Sequence, residues 1–265
     1  MKSIAFGTLK GGTGKTTSCF NLAGALALNP KNKILLVDGD PQCNLTNDIG
    51  IDCSDMERNN IRTIFENKKI DPSELIIHNM LEQLPNIDII PSNILLIKTE
   101  MQLISTAGRE KLLANYFDRN KDFFSQYTHI IFDTNPNLGV INQNIFYFVD
   151  SIILVSDVSL NAIQGAELFT FLWEENIEDM GIENNIKALI INNFDKRINL
   201  AKDLQDYYLS EAEFKDILIE IPIPGSVAMK DTSINHLPLV VLQPNHQVAT
   251  AIKKVVKDLI VREVF

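Results

Sequence analysis

With 265 residues, 45% of them hydrophobic and 22% charged, the chain has enough apolar material for one sizeable core, and a single α/β domain over 1–265 is the default expectation. A formal net charge of −10 excludes a surface coated in positive potential, so any contact with nucleic acid must come from a local, salt-sensitive patch. No apolar run approaches the roughly 18 residues of a membrane span, and Met1-Lys2 leads into a strand without a secretory apolar region, so the expected compartment is the cytoplasm.

The first apolar run, Ile4 to Leu9, reads as a buried strand. A helical pattern carrying Phe20, Leu22, Ala23, Leu26 and Ala27 follows and ends near Asn29-Pro30. Between them lies Leu9-Lys10-Gly11-Gly12-Thr13-Gly14-Lys15-Thr16-Thr17. Strand, glycine loop and helix together make the context of a phosphate-binding loop. The glycines let backbone N–H groups turn inward around a polyanion, and the helix N-terminus adds its partial positive charge. Lys15 then sits on the β- and γ-phosphates, with the Thr16 hydroxyl on Mg²⁺; Gly11 to Thr17 form the nucleotide cradle. Lys10 is a second lysine at the mouth of the loop. So much positive charge is favourable only if it meets further negative charge, from its own nucleotide or from one across a dimer interface.

Lys33-Ile-Leu-Leu-Val-Asp38 fits a second buried parallel strand, followed by Gly39-Asp40-Pro41-Gln42. Asp38 suits the water shell of Mg²⁺ and Asp40 the orientation of a water on the γ-phosphate, unless these acids merely cap a turn. Cys19, Cys43 and Cys53 lack paired metal-ligand spacing and read as reduced thiols. Residues 47–85 are polar and irregular, with short amphipathic pieces at Ile61–Glu66 and Glu74–Leu84. Asn86–Pro91 reads as a strand, and Lys98 to Phe124 carries helical spacing broken near Gly108.

Thr128-His-Ile-Ile-Phe-Asp133 is an apolar strand ending in an acid, the Walker-B arrangement, in which Asp133 holds Mg²⁺ through water and the loop Thr134-Asn135-Pro136-Asn137 senses the γ-phosphate. His129 reads as a packed or surface histidine. A helix over Val140–Val149, a strand over Ser151–Val155 and a helix over Ala162–Asn176 follow. The strand Ile186–Ile191 ends in Asn192, whose amide can pair with a purine edge or serve the turn. After a helix over Asn199–Glu213 and a strand over Ile217–Ile221, Pro222-Ile223-Pro224-Gly225 is a rigid loop that can close over the base. The last helix, Gln247 to Val264, has one apolar face suited either to docking on the sheet or to a membrane surface, and a basic rim. Alternating strands and helices imply a three-layer fold: a mostly parallel twisted sheet of about seven or eight strands with helices on both faces.

With these segments placed, the chain resembles the ParA/Soj family of partition ATPases, relatives of MinD with a deviant Walker A motif. Lys10-Gly-Gly-Thr-Gly-Lys15-Thr-Thr17 matches the family loop, Val37-Asp38-Gly39-Asp40-Pro41-Gln42 its acidic motif and Ile131-Phe-Asp133 with Pro136 its Walker B. Asn193-Phe-Asp-Lys-Arg197 and Leu237-Pro-Leu-Val240 are similar to two later signatures. The resemblance implies that Lys10 reaches the nucleotide of the facing subunit in an ATP-bound homodimer, and that Asp40 positions the hydrolytic water. It further implies nonspecific DNA binding by that dimer, association with the nucleoid, and release by a ParB-like centromere-binding partner. Arg197 matches a family DNA-contact position, and Lys196, Lys230, Lys253, Lys254 and Lys257 are further candidates. Val155, Asp157 and Ser159 stand where the family carries Pro, Gln and Glu, and Ile223–Ala228 has no arginine. The alternative is a MinD-like cargo or membrane positioning ATPase with no DNA role.

Overall fold

The structure is a computed structural model that describes residues 1–265. At its centre are six strands: β1 Lys2–Gly7, β2 Ile34–Asp38, β3 Ile87–Ile90, β4 His129–Asp133, β5 Ser151–Asp157 and β6 Ile186–Asn192. They lie in the order β3-β2-β4-β1-β5-β6, and every pair is parallel. Alternation along each strand divides the apolar residues between two cores. Ile4, Phe6, Leu36, Ile131, Ile153 and Ile190 enter one; Ala5, Val37, Phe132, Leu154 and Ile191 enter the other.

The first core is closed by α1 (Lys15–Ala27), α2 (Asn44–Asp48), and two late helices. The second is closed by α3 (Ile61–Glu66), α4 (Leu96–Leu103), α5 (Leu112–Arg119), α6 (Lys121–Phe124), α7 (Val140–Phe148), α8 (Ala162–Met180) and α9 (Asn199–Ser210). Three more helices end the chain: α10 (Lys230–Asn235), then α11 (Leu239–Leu242) and α12 (Gln247–Val261), the two that complete the first core. Val248, Ile252, Val255, Val256 and Leu259 of α12 are buried against the α1 side, so the docked alternative for this helix is the one observed.

The sheet has six strands where seven or eight were expected. Residues 217–225 do run beside β6: Ile219 N–H donates to Leu189 O and Ile223 N–H to Ile191 O, each at 2.8 Å. Pro222 and Pro224 have no N–H to give, so only isolated bridges form, at Leu189–Leu218 and Phe194–Pro224. Within Glu74–Leu84, Ile77 pairs antiparallel with Ile89 at the other sheet edge. The break near Gly108 is real, with φ of 64° between α4 and α5. His129 is 9% exposed, beside the Phe265 ring.

Strand order positions the site. β1 lies between β4 and β5, and β4 lies between β2 and β1. The glycine loop therefore leaves the middle of the sheet, and Asp38 and Asp133 face each other in register on adjacent strand ends.

Candidate functional site

The loop from Thr8 to Gly14 depends on backbone that only glycine adopts without strain: φ is 81° at Gly12 and 79° at Gly14. A side chain at Gly14 would collide with the Asn192 amide. That amide donates to Thr13 O at 2.8 Å, so Asn192 braces the loop from beneath. One N–H of the Asn192 amide is thus given to the loop, a partner 179 residues away, while the residue also lines a second hollow beside it.

α1 begins with no side-chain cap and no acid in its first turn, and its first internal bond runs from Ser18 N–H to Gly14 O. The N–H groups of Lys15, Thr16 and Thr17 therefore need an outside acceptor. They face a cleft of about 410 Å³ whose lining, including Lys10, Lys15, Asp40, Asp48 and Ser233, contains no Leu, Ile, Val, Met or aromatic side chain. A side chain at Gly11 or Gly12 would meet nothing within 4 Å, so the loop's outer edge is open. The Thr13 hydroxyl is buried without a partner. Uncapped donors, an orphaned hydroxyl and two lysines around a polar hollow fit a polyphosphate.

Asp133, fully buried, holds the two side chains at the start of α1, Lys15 and Thr16. Lys15 Nζ lies 2.9 Å from its Oδ1, and Thr16 Oγ1 donates to its Oδ2 at 2.5 Å. Asp38 is also fully buried, and both oxygens are engaged: Oδ1 by Asp40 N–H at 3.0 Å, Oδ2 by Thr46 N–H at 2.8 Å and Thr46 Oγ1 at 2.6 Å. Burial, and after it the Asp133 charge, pushes the Asp38 carboxyl up to about 7. Asp38 thus braces the loop that presents Asp40, beside Asp133 at the adjacent strand end. Asp40, 5% exposed, lines the cleft, and its Oδ1 accepts from Gln42 N–H at 2.8 Å. Burial raises its carboxyl as well.

Lys10 is not free. Its Nζ lies 2.6 and 2.9 Å from the Asp157 carboxylate and 2.6 Å from Ser159 Oγ, at the end of β5. Two residues that depart from the family pattern therefore hold this lysine within its own chain.

Beyond Gly14, Thr17 and Ser233, which it shares with the first cleft, this second hollow of about 440 Å³ opens between Asn192, Asn193, Ser226, Met229 and Lys230, so the structure brings the amide expected at the base to this hollow. Lys230, expected among the DNA contacts, belongs to this hollow. Pro224, expected over the base, does not line it and instead pairs with Phe194. Of the remaining basic candidates, Lys196, Lys254 and Lys257 are exposed. The Arg197 guanidinium is held by Asp195 at 2.7 to 3.2 Å, and this contact keeps the Asp195 carboxyl down near 2. Lys253 donates to Pro244 O at 3.0 Å.

The loop after Asp133 is tied by Asn142 of α7, whose Nδ2 donates to Asn135 Oδ1 at 2.5 Å and to Asn137 O at 2.7 Å. Thr134 Oγ1 donates to Phe6 O at 2.6 Å. Asn142, Asp48 and Ser233 carried no signal in the sequence, since nothing local distinguishes them from ordinary helix residues.

A family model described as an AAA domain matches residues 1–188. The sporulation initiation inhibitor protein Soj of Bacillus subtilis is 27% identical over 258 residues, covering 97% of this chain and 98% of its own. A plasmid partition protein from Borrelia burgdorferi bound to AMPPNP superposes with a TM-score of 0.79 at 24% identity, covering 99% of both chains. Apo McdA from Cyanothece gives 0.83 at 20% identity, covering 98% of this chain and 99% of that one. A glycine loop on the central strand, acids on the two neighbouring strand ends, a second lysine at the loop mouth and these full-length matches lead to one assignment: the chain belongs to the ParA family of ATPases.

Proposed function

We propose that the protein is an ATP-hydrolysing dimerisation switch used in partition or positioning, with a triphosphate seated at the N-terminus of α1. The observation that carries this reading is the uncapped start of α1 opening onto a polar cleft beside Lys15, Lys10 and Asp40. The nucleotide and Mg²⁺ assignments draw further support from the AMPPNP-bound partition protein, and from a mycobacterial cobyrinic acid a,c-diamide synthase bound to an ATP analogue and magnesium.

The roles follow from position. Lys15 and Thr16 exchange the Asp133 carboxylate for phosphate oxygens and the cation, respectively. When bound, Mg²⁺ would offset the charge on the β- and γ-phosphates, and Thr16, Asp38 and Asp133, the two acids acting through water, are the residues that would hold it. Asp40 orients the attacking water and takes up its proton as the terminal phosphate leaves. Lys10 must leave Asp157 and Ser159 before it can serve a nucleotide in the facing copy. Dimer formation therefore competes with a contact inside the monomer.

The test is turnover together with sedimentation. Asp40→Ala is expected to abolish phosphate release and to accumulate an ATP-dependent dimer. Normal turnover by this variant removes Asp40 from the mechanism, and a monomer under all conditions removes the switch.

DNA binding by the dimer, nucleoid association and release by a ParB-like partner complete the partition form of this reading. One observation favours the second form, a positioning ATPase without a DNA role: the net charge of −10 gives the chain a general field that repels DNA. The membrane variant of that form draws no support from α12, whose apolar face is buried, and no helix is long and apolar enough to cross a membrane. Titration of arbitrary duplex DNA with ATP at two salt concentrations separates the forms. Nucleotide-dependent binding that weakens steeply with salt supports partition, and its absence supports positioning.

A further inference from the structure

Asp48, the last residue of α2, is 9% exposed and lines the cleft together with Ser233. A carboxylate has room for about four hydrogen bonds and is costly to bury without them. None of the chain's ion pairs includes Asp48. Two groups face it favourably, the Ser233 hydroxyl and the His236 ring, while the Asp133 charge opposes it. His236 also packs over Gly50, so the ends of α2 and α10 meet at the mouth of the cleft. Asp38, another buried acid of this region, has three donors around its oxygens. Asp48 lacks such a set and opens toward the ligand space.

Asp48 lines the phosphate cleft alone, and its neighbour Ser233 says which part of a ligand lies beside it. Gly14, Thr17 and Ser233 line both the phosphate cleft and the second hollow, so they mark the junction between the two. In a nucleotide that spans both, the group at the junction is the sugar, and the donors a sugar offers are its vicinal hydroxyls. An acid set on ribose hydroxyls is a recurrent solution in nucleotide sites of other folds.

We propose that Asp48, assisted by Ser233, accepts hydrogen bonds from the ribose hydroxyls and so makes this site selective for ribonucleotides over deoxyribonucleotides. The proposal rests on the nucleotide reading above. It assigns a positioning and specificity role, not a part in the hydrolytic step.

The test uses the full chain with Mg²⁺ and three probes, ADP, 2′-deoxy-ADP and 3′-deoxy-ADP, titrated by calorimetry so that neither hydrolysis nor dimerisation enters. Wild type is expected to bind ADP about tenfold or more tightly than at least one of the deoxy forms, as for loss of a hydrogen bond to a charged group. Asp48→Ala should reduce that ratio to less than about threefold, chiefly by weakening ADP, while affinity for the discriminated deoxy form stays nearly constant. Asp48→Asn, which preserves shape and one acceptor oxygen, should fall between. If Asp48→Ala does not fold, the wild-type comparison and Asp48→Asn decide.

Equal wild-type affinity for all three probes overturns the sugar contact, as does undiminished selectivity in either variant. Tighter binding of every probe by Asp48→Ala also overturns it, because Asp48 would then act only as a charge repelling phosphate. Failure of wild type to bind any of the three is a different result, since it removes the nucleotide reading itself.

Discussion

Lys10 and Asp157 are 147 residues apart in sequence and 2.6 Å apart in space. The pair is partly exposed, with Lys10 at 32% and Asp157 at 15%, so solvent screening limits its worth to about 1 kcal/mol. Asp157→Ala is therefore expected to strengthen ATP-dependent dimerisation about fivefold per protomer while leaving ADP affinity unchanged. Sedimentation across a protein concentration series checks this, and an unchanged or weaker dimer would mean the contact does not restrain Lys10. His129 gives a pH test remote from the site. Burial, followed by the N-terminal and Lys2 charges, depresses its imidazole to about 4 from an ordinary 6.5. Protonation therefore opposes the fold: stability is retained above pH 6.5 and declines as pH falls toward 4, by at most about 1.4 kcal/mol per pH unit. Chemical denaturation of wild type and His129→Gln over this range should show that component only in wild type. The glycine loop was legible because its determinants are consecutive residues. The partners of Lys10 and Asn192 were not, because they come from strands that meet only in the finished sheet.

At the scale of elements, the loop after Asp133 is held in place by a neighbouring helix. Thr134-Asn135-Pro136-Asn137 contains one proline, and Asn142 ties the loop to α7 through Asn135 and Asn137. Asn142→Ala leaves the Asn135 and Asn137 oxygens short of a buried donor and should cost about 1–3 kcal/mol in urea unfolding. It should also blunt the coupling of nucleotide to dimerisation more than nucleotide affinity, which a loss confined to stability would not do. Strands β1, β2 and β4 were readable because central parallel strands are continuous apolar runs. The marginal seventh strand was misread because Ile217–Ile221 has the same apolar character; the prolines that follow, rather than its composition, keep the pairing from propagating. α2 escaped notice because five residues are too few to display a period.

For the whole molecule, the three-layer plan and the C-terminal edge of the sheet as ligand site followed from the alternation of strands and helices. The strand order, with β4 inserted between β2 and β1, was beyond the reach of local patterning. The net charge of −10 bears on the surroundings of an ATP-bound dimer, since its general field repels DNA while only local patches attract it. If DNA is bound, Lys254→Glu with Lys257→Glu should weaken it and flatten the salt dependence by about one unit for each phosphate no longer neutralised.

All of these expectations depend on a triphosphate resting on the open N–H groups of α1 under the grip of Lys15. The most direct test is equilibrium titration of the full chain with ATPγS and Mg²⁺, wild type against Lys15→Ala, with thermal melting to verify that both are folded. The account predicts saturable one-to-one binding by wild type and a loss of at least about a hundredfold in the variant, as for removal of a buried charge-assisted contact. Equal affinity in two folded proteins, or no binding by wild type, would contradict it.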